Sequence, residues 1–557
     1  MILRDRVFPI VLIAASALAQ PAAETQKKCS ISGTARREGS EVPLAGVIVS
    51  VATHSRFANG TIYMSIANSK RIETVTDEQG RYRLADLPPG DYRVFARTPE
   101  RRNVQQTART VKARAGEDLA SIDLLFPATG TLSGRVLDHN DEPIRGAAVL
   151  LIYREYSRGR IEHFLRATTN TTDTGAYTFP HVEAGRPYLL MARVPSVIKG
   201  TEVPADPALR KPIPVPTYFP NSTSVAGAAP IVLRSEERRE GVDFVVSRAP
   251  SFCISGIAEA PGEGSGSIQI AGGEIGGDGG NVRSGVPSFP VEADGKFHAC
   301  GLPAGDYRLM AWFQKRSDRD SPATVGWGRV TITKEDVTGL RLYATSGVPV
   351  RGRVEWDGPA PEQPPAVRAV VALQELGRIG LLPGEQSSAV VSIPSEFVLA
   401  NVFLGDYIAR PAVNSTSIYV KDVFYGTNSV LRDPLQISGG PGDLRVVLAR
   451  DGGTIAAKVA DKDGKPVPDI KVVIVPAAVP TEASLPDVWA LGETDQDGNY
   501  SYGPLRPGKY FVFATTARVD RSVESVNKVW NARSHLDTIE LGPNGHVQVN
   551  LTPVVIE

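Results

Sequence analysis

Few residues in this chain have both the type and the spacing that enzymatic or metal chemistry requires. No histidine belongs to a His-Glu-x-x-His motif, an arrangement in which zinc peptidases hold their metal. There is also no Gly-x-Ser-x-Gly elbow and no glycine-rich phosphate loop that leads into a helix. We therefore predict a protein that is not an enzyme, with no catalytic residue, metal or cofactor. The seven histidines are scattered, at His54, His139, His163, His181, His298, His535 and His546.

Two Asp-x-Asp-Gly runs, at 461–464 and 495–498, contain the carboxylates that calcium prefers as ligands. Neither run is followed by the further ligands and the distal acid of a complete calcium loop. Asp and Gly are also the residues that tight turns need, because Asp bonds to nearby backbone and Gly accepts a positive φ. We therefore interpret both runs as turns.

The three cysteines, Cys29, Cys253 and Cys300, allow at most one disulfide within the chain. Cys253 and Cys300 fall in two strand-like segments of one predicted folding unit, and a bond between them would close a loop of 47 residues. Cys29 corresponds to Cys253 in an earlier unit, but Ala85 stands there in place of Cys300. We hypothesise a disulfide between Cys253 and Cys300, although the sequence leaves open whether their strands are neighbours.

The elements that position these residues come from a stretch that occurs five times. Its first copy, 76–96, reads TDEQGRYRLADLPPGDYRVFA, which is a polar turn, a short alternating strand, a Leu-Pro-Pro-Gly corner and a second alternating strand. One tyrosine follows the corner in every copy, and these anchor tyrosines lie 96, 119, 100 and 103 residues apart. Such spacing indicates tandem copies of one folding unit. The anchor tyrosines are Tyr92, Tyr188, Tyr307, Tyr407 and Tyr510.

Each copy also begins with two strand-like segments and ends with another, which makes about seven short strands per ~100 residues. Alternating β-branched runs separated by Gly, Pro and Asp predict an all-β chain of antiparallel two-sheet sandwiches. Inward positions should be the anchor tyrosine and the residues two and four further on. The predicted domains are a signal peptide at 1–19 and five repeats at 28–128, 129–250 (with a Pro-rich excursion), 251–346, 347–449 and 450–557.

The repeated motif resembles the carboxypeptidase regulatory-like domain, a transthyretin-like, immunoglobulin-like sandwich grouped with carbohydrate-binding-like and Cna protein B-type folds. The resemblance is clearest at 80–92, 295–307 and 498–510, where Gly-x-Tyr or Gly-x-Phe precedes Leu-x-x-Gly-x-Tyr. It weakens at 182–185 and 402–405, and Ala457 replaces the opening glycine of repeat 5. It implies an accessory domain without the peptidase, and it describes a fold that hosts several functions.

The N-terminal residues have the pattern of a secretory signal. Arg4 and Arg6 precede an apolar run at 7–17, and 17–19 reads Ala-Leu-Ala, a cleavage site that predicts a mature chain from Gln20. No later stretch approaches the ~20 apolar residues that cross a membrane. We expect an exported protein, periplasmic or extracellular, without a transmembrane segment in the mature chain.

The overall charge excludes one class of partner. Lys plus Arg and Asp plus Glu both number 61, so the chain has no net positive charge to bind nucleic acid. The hydrophobic content of 42% is sufficient for a core in every repeat.

One group of residues suggests a ligand. Successive side chains of a strand point to opposite faces of the sheet. If the Tyr307 side chain points into the core of repeat 3, Arg308 and Trp312 therefore lie on the opposite face, and Trp327 could extend that surface. Tryptophan beside arginine can stack on a sugar ring and bind its hydroxyls. Cover by a neighbouring repeat or a long insert is the other interpretation, and it is the one we favour.

We therefore expect a non-catalytic array that serves binding, adhesion or spacing at the cell envelope, with an envelope protein or glycan as its partner. A carbohydrate-binding array is one alternative. An accessory subunit, or an enzyme with an unrecognised site in the Pro-rich excursion, is another. Because the linkers between repeats are only a few residues long, we expect a semi-rigid rod.

Overall fold

The structure is a computed structural model. It describes residues 27–557 except 54–71, 100–106, 158, 195–203, 205, 207–208, 262–264, 273–286, 315–322, 363–366, 377–387, 414, 416 and 441. The predicted signal peptide at 1–19 therefore lies outside the described residues.

Nearly all regular structure in the described residues is β, as predicted. Repeat 1 contains β1 (Cys29–Arg37), β2 (Ile48–Thr53), β3 (Ile72–Val75), β4 (Arg81–Leu87), β5 (Gly90–Arg97), β6 (Thr107–Ala113), β7 (Asp118–Leu119) and β8 (Leu124–Phe126). Repeat 2 contains β9 (Thr129–Leu137), β10 (Ala148–Ser157), β11 (Arg160–Asn170), β12 (Ala176–Glu183), β13 (Leu189–Arg193), β14 (Ile213–Pro214), β15 (Thr217–Tyr218), a 3-10 helix (Val225–Gly227), β16 (Arg238–Arg239), β17 (Phe244–Val245) and β18 (Arg248–Ala249). Repeat 3 contains β19 (Phe252–Glu259), β20 (Ser265–Gly272), β21 (Ser288–Val291), β22 (Lys296–Leu302), β23 (Gly305–Gln314), β24 (Thr324–Ile332), β25 (Val337–Tyr343) and β26 (Thr345–Ser346).

The last two repeats follow the same plan. Repeat 4 contains β27 (Val348–Trp356), β28 (Arg368–Glu375), β29 (Ser388–Ser392), β30 (Ser395–Val402), β31 (Gly405–Val413), β32 (Tyr419–Tyr425), β33 (Asn428–Ser429), β34 (Leu435–Ile437) and β35 (Leu444–Ala449). Repeat 5 contains β36 (Gly453–Val459), β37 (Lys471–Pro476), a 3-10 helix (Glu482–Asp487), β38 (Ala490–Glu493), β39 (Asn499–Leu505), β40 (Gly508–Thr515), α1 (Val523–Ala532), a 3-10 helix (Arg533–His535), β41 (Thr538–Leu541) and β42 (His546–Leu551).

Two sheets enclose a core in repeats 1, 2, 4 and 5. In repeat 1 the sheets have the orders β4-β1-β7, with β8 also on β1, and β3-β2-β5-β6. Repeat 5 has the orders β39-β36-β42 and β38-β37-β40-β41. In repeat 3, β21 bonds to both β20 and β22 and thereby joins the two halves into one eight-stranded sheet. Each predicted repeat has its own cluster of buried apolar side chains. The boundaries between repeats remain predictions.

The sheets contain one feature beyond the antiparallel pattern that the sequence suggested. The closing strand of each repeat lies parallel to the opening strand, as β8 does to β1 and β42 does to β36. Parallel neighbours need a long crossover between them, and here the rest of the repeat provides it.

This parallel pair explains the opening glycine of the motif. A Cβ on Gly33 would overlap the carbonyl of Ile122, which lies just before the closing strand. The corresponding glycines of repeats 2, 3 and 4 face the carbonyls of Val242, Leu340 and Leu444 in the same way. Repeat 5 tolerates Ala457 at this position, and that residue is buried.

The anchor tyrosines lie in the cores, as predicted, with 0–8% of each side chain exposed. The residues two and four further on are buried as well, as shown by Val94 and Ala96 in repeat 1. Four of the five anchor hydroxyls donate a hydrogen bond to the carbonyl four residues earlier. The carbonyls are those of Pro88 at 2.7 Å, Pro303 at 2.7 Å, Phe403 at 2.9 Å and Arg506 at 2.6 Å.

The Asp-x-x-Gly segments form turns. The Oδ1 atom of Asp77 accepts hydrogen bonds from the backbone of Gln79 and Arg81, and Gly80 has a φ of 69°. In repeat 5, the Oδ1 atoms of Asp461 and Asp495 accept the equivalent backbone bonds. These carboxylates hold their own turns, in agreement with the turn interpretation.

The described residues include one α-helix, which the sequence analysis missed. Helix α1 begins after Ser522, whose hydroxyl accepts a bond from the backbone of Ser525, and it buries Val526 and Val529. Ten residues are too few to show a sustained apolar stripe, so the pattern was not recognised. The spacing of these valines and the serine cap were the available signals. The helix covers the outer face of the sheet formed by β37 and β40.

The Pro-rich excursion of repeat 2 lies along a sheet edge, as expected. Within it, β15 adds to the edge of the sheet beside β13, and β14 pairs with β18. Its Arg210 reaches repeat 3, where two of its nitrogens lie 2.6 and 2.7 Å from the Asp336 carboxylate. This pairing raises the pKa of Arg210 and lowers that of Asp336. The excursion therefore links two repeats.

The repeats do not follow one another as a simple rod, which corrects our expectation. Repeat 5 returns to repeat 1, where Arg109 pairs with Asp469 and Arg114 lies 2.6 Å from Asp497. It also contacts repeat 2, because Tyr156 donates its backbone N–H to Arg521 at 2.8 Å. Linker length alone did not reveal these contacts because they join residues up to 384 positions apart.

The anchor tyrosine leads to a stability prediction. Tyr92→Ala should destabilise repeat 1 by about 3–5 kcal/mol, because it empties an aromatic core position. Tyr92→Phe should cost about 1 kcal/mol, because only the hydrogen bond to Pro88 is lost.

Hydrogen exchange of peptides from repeat 1, followed through denaturant, measures both effects. Tyr343→Ala is the control, since that tyrosine is 60% exposed. A loss below about 1 kcal/mol for Tyr92→Ala, well under the usual range, would contradict the core assignment.

Candidate functional site

The sequence singled out two places in repeat 3, and the first is the cysteine pair. Cys253 on β19 and Cys300 on β22 are direct antiparallel partners, and a disulfide joins them. The Nε2 atom of His298 lies 2.8 Å from the Cys300 sulfur. The two cysteines and this histidine are close enough to hold a metal ion, but sulfurs joined in a disulfide offer no thiolate ligand. The disulfide therefore links the neighbouring strands β19 and β22 covalently.

Cys29 is a free, buried cysteine. Its sulfur lies 3.1 Å from the carbonyl oxygen of Leu87, and burial raises the pKa of its thiol. A buried thiol with a raised pKa has little thiolate character and is therefore unreactive.

The second place is the face that contains Arg308, Trp312 and Trp327. Trp327 on β24 is the direct partner of Met310 on β23, and Trp312 is the partner of Val325, so the two rings lie diagonally on one face. Phe403 from the corner of repeat 4 packs against this face and is only 2% exposed. The neighbouring repeat thus covers part of the surface, and both tryptophans are half-buried. Ligand binding by Arg308, Trp312 and Trp327 remains a prediction.

A third place was not found from the sequence. A pocket of about 480 Å³ lies on repeat 5 where α1 ends, and we call it the Arg533 pocket. Its walls include aromatic side chains, a guanidinium group and several short polar groups. The lining residues are Ala477, Phe511, Trp530, Asn531, Arg533, Ser534 and His535.

Local structure explains how the Arg533 pocket forms. Val526 and Val529 bury one side of α1 against the sheet, which places Trp530 at the edge of the contact. The chain then turns into a short 3-10 helix that begins at Arg533. The Arg533 guanidinium carbon lies 3.5 Å from the centre of the Trp530 ring and 5.8 Å from that of Phe511. This is cation–π geometry.

The comparisons with known proteins identify the domain type of repeat 1. Residues 30–124 match the family model described as the carboxypeptidase regulatory-like domain. This match confirms, for repeat 1, the resemblance that the motif suggested. No curated protein sequence matches the chain.

Several solved structures are similar at low identity. The TIE protein of Bacillus anthracis is 9% identical, with 97% of this chain and 76% of that chain covered and a TM-score of 0.15. A streptococcal ancillary pilin is 13% identical, with 57% and 99% covered and a TM-score of 0.20. The shaft pilin SpaA of Lactobacillus rhamnosus GG is 11% identical, with 41% and 98% covered and a TM-score of 0.19. At these values the similarities do not indicate what the present chain does.

The cysteine arrangement predicts a thiol count. The unfolded, unreduced protein should react with one equivalent of a thiol reagent, at Cys29, and the reduced protein with three. Replacing Cys253 and Cys300 together by serine should destabilise repeat 3 by about 4 kcal/mol, because the disulfide closes a 47-residue loop.

Denaturant unfolding of repeat 3, followed by hydrogen exchange, measures that loss. Cys29→Ala is the control and should leave repeat 3 unchanged. Three reactive thiols before reduction would contradict the disulfide.

The contact between repeats 3 and 4 predicts a change in tryptophan fluorescence. Phe403→Ala should expose Trp312 and Trp327, so that emission shifts to the red and acrylamide quenching increases. Val398→Ala is the control on repeat 4, since that valine is 55% exposed. Unchanged quenching in the Phe403 variant would mean that Phe403 does not cover the two rings. Titrating the full chain with oligosaccharides then tests the ligand-binding hypothesis for this face.

Proposed function

We propose that this protein is an exported, non-catalytic binding module of the cell envelope, assembled from β-sandwich repeats. The observation that carries the proposal is the return of repeat 5 to repeats 1 and 2. A spacer gains from end-to-end length, whereas a chain that folds back on itself gives up length for a fixed arrangement of surfaces. The contacts therefore favour binding or adhesion over spacing.

The contacts between repeats 2 and 5 combine apolar and charged groups. The Tyr156 side chain of repeat 2 is buried in a cluster with Val473, Phe513 and Val526 of repeat 5. Beside it, Arg518 pairs with Glu183 of repeat 2 and with Asp520. Burial alone would lower the pKa of Arg518, but the two carboxylates raise it above its ordinary value. A charge buried with its partners can hold a specific orientation of the repeats.

Two parts of this proposal, export and the absence of catalysis, are supported by the sequence. The signal-like pattern at 1–19 supports passage out of the cytoplasm. In the described part of the chain, no helix combines the length and apolar character that crossing a membrane requires. Repeat 1 matches the carboxypeptidase regulatory-like domain, and the resemblance implies an accessory domain without the peptidase. The partner in this proposal is a protein or glycan of the envelope, and activity assays on peptides and glycans test the non-catalytic part.

The folded-back arrangement can be tested by small-angle X-ray scattering. Replacing Asp469 and Asp497 together by arginine puts like charges beside Arg109 and Arg114. We expect the radius of gyration and the maximum dimension to increase at low salt, because repulsion opens the contact between repeats 1 and 5.

Asp463→Arg is the matched control, since Asp463 is an exposed turn residue of the same repeat. Binding of each variant to isolated envelope material then links shape to function. Identical scattering of the double variant and the wild type would contradict the closed contact. Envelope binding that survives full opening would contradict the need for a fixed arrangement.

A further inference from the structure

The charge in the Arg533 pocket has no carboxylate partner among the described residues. The Nε and Nη1 atoms of Arg533 are covered by protein atoms and make no hydrogen bond, so a ligand in the pocket would reach the guanidinium at Nη2. Two other arginines with limited exposure face carboxylates, as Arg210 faces Asp336 and Arg518 faces Glu183. Arg533 instead lies against the rings of Trp530 and Phe511.

The lack of a carboxylate beside Arg533 affects the pKa of its guanidinium group. Burial lowers the pKa of Arg533, and no acidic neighbour opposes the effect. For Arg210, by contrast, the bond to Asp336 raises the pKa. A cation removed from water without a counter-ion is costly to the folded protein. An anion that enters the pocket would supply the missing charge.

The guanidinium chemistry and the number of positively charged residues in the pocket indicate which class of anion would bind there. A guanidinium group can form charge-assisted hydrogen bonds with both carboxylate and phosphate. The pocket contains one arginine and no lysine, and it lies at the end of α1, where the helix dipole is negative. A dianionic phosphate would meet a single positive group there. A singly charged carboxylate fits better.

The other residues that line the pocket indicate what the uncharged part of the ligand should be. Asn531, Ser534 and His535 are exposed polar side chains at the rim, and the ring of Phe511 supplies an apolar wall. Donors and acceptors beside an aromatic surface suit a ring that has hydroxyls on its edges and an apolar face. The volume of about 480 Å³ lies in the range of small-ligand sites, about 300–1,000 Å³.

We propose that the Arg533 pocket binds a sugar acid, with the carboxylate of a uronic acid residue on Arg533 and the ring hydroxyls on Asn531, Ser534 and His535. This inference deepens the proposed binding function and rests on it. A free uronate and a uronate within an acidic polysaccharide share this chemistry.

Isothermal titration calorimetry on the full chain tests the proposal. Glucuronate and galacturonate should bind, and glucose and galactose should bind at least about tenfold more weakly, because they lack the charged group. Short oligogalacturonates distinguish a polymer ligand from a free one, since tighter binding of the oligomer indicates the polymer. A peptide with a free C-terminal carboxylate that binds more tightly than every uronate would overturn the proposal.

Variants assign the binding to the pocket. Arg533→Gln should weaken glucuronate binding by at least about tenfold, and Arg533→Lys should weaken it less, because lysine keeps the positive charge. Lys528→Gln is the matched control, since it removes an exposed positive charge from the same helix. It should leave the affinity unchanged. Equal affinity of Arg533→Gln and the wild type would overturn the proposal.

A second measurement separates a binding role from a structural one. Arg533→Met keeps a long side chain against Trp530 and removes the unpaired charge, so a residue held for binding should lose no stability on this change. A clear drop in the thermal midpoint of repeat 5 would assign Arg533 to helix termination instead. If Arg533→Gln loses uronate but the protein still binds envelope material, the envelope function stands independently of this pocket.

Discussion

Each repeat depends on a buried tyrosine at the start of the strand that follows its corner. The ring fills the space between the sheets, and in four repeats the hydroxyl bonds to the carbonyl four residues earlier. The bond satisfies a polar group that burial would otherwise leave unpaired, and burial raises the pKa of Tyr510 to about 12. Ring and bond together fix the direction in which the chain leaves the corner.

The same constraint explains why repeats with weak motifs keep the fold. Repeat 4 has no Asp-Gly turn in its repeated stretch, yet Tyr407 is fully buried and bonds to Phe403. In repeat 2 the corner lacks its prolines, and Tyr188 is still buried. Packing of the ring, rather than the identity of the turn residues, therefore preserves the sandwich. The turns adjust around it, because their exposed residues make few contacts with the core.

Surfaces outside the cores acquire their roles from the arrangement of the repeats. The outer face of repeat 5 is apolar and is covered by α1 and by Tyr156 of repeat 2. The tryptophan face of repeat 3 is partly covered by Phe403 of repeat 4. Where a face is covered by another part of the chain, its aromatics contribute to cohesion. Beside Trp530 the face is no longer covered by another part of the chain. The surface there forms the Arg533 pocket, whose guanidinium has no carboxylate partner.

Sequence patterns were sufficient to predict the all-β class, the spacing of the repeats, the inward positions of the anchor tyrosines and the turns made by Asp77, Asp461 and Asp495. These features depend on contacts between residues that are close in the chain and on period-two alternation. The pairing of Cys253 with Cys300 required the register of two strands, which the sequence left open. Helix α1 was too short to be recognised, and the Arg533 pocket exists only because that helix ends above a sheet. The contacts of repeat 5 with repeats 1 and 2 were decided by tertiary structure alone. They join surfaces that are hundreds of residues apart in the chain. No local sequence pattern indicates which two surfaces will be in contact.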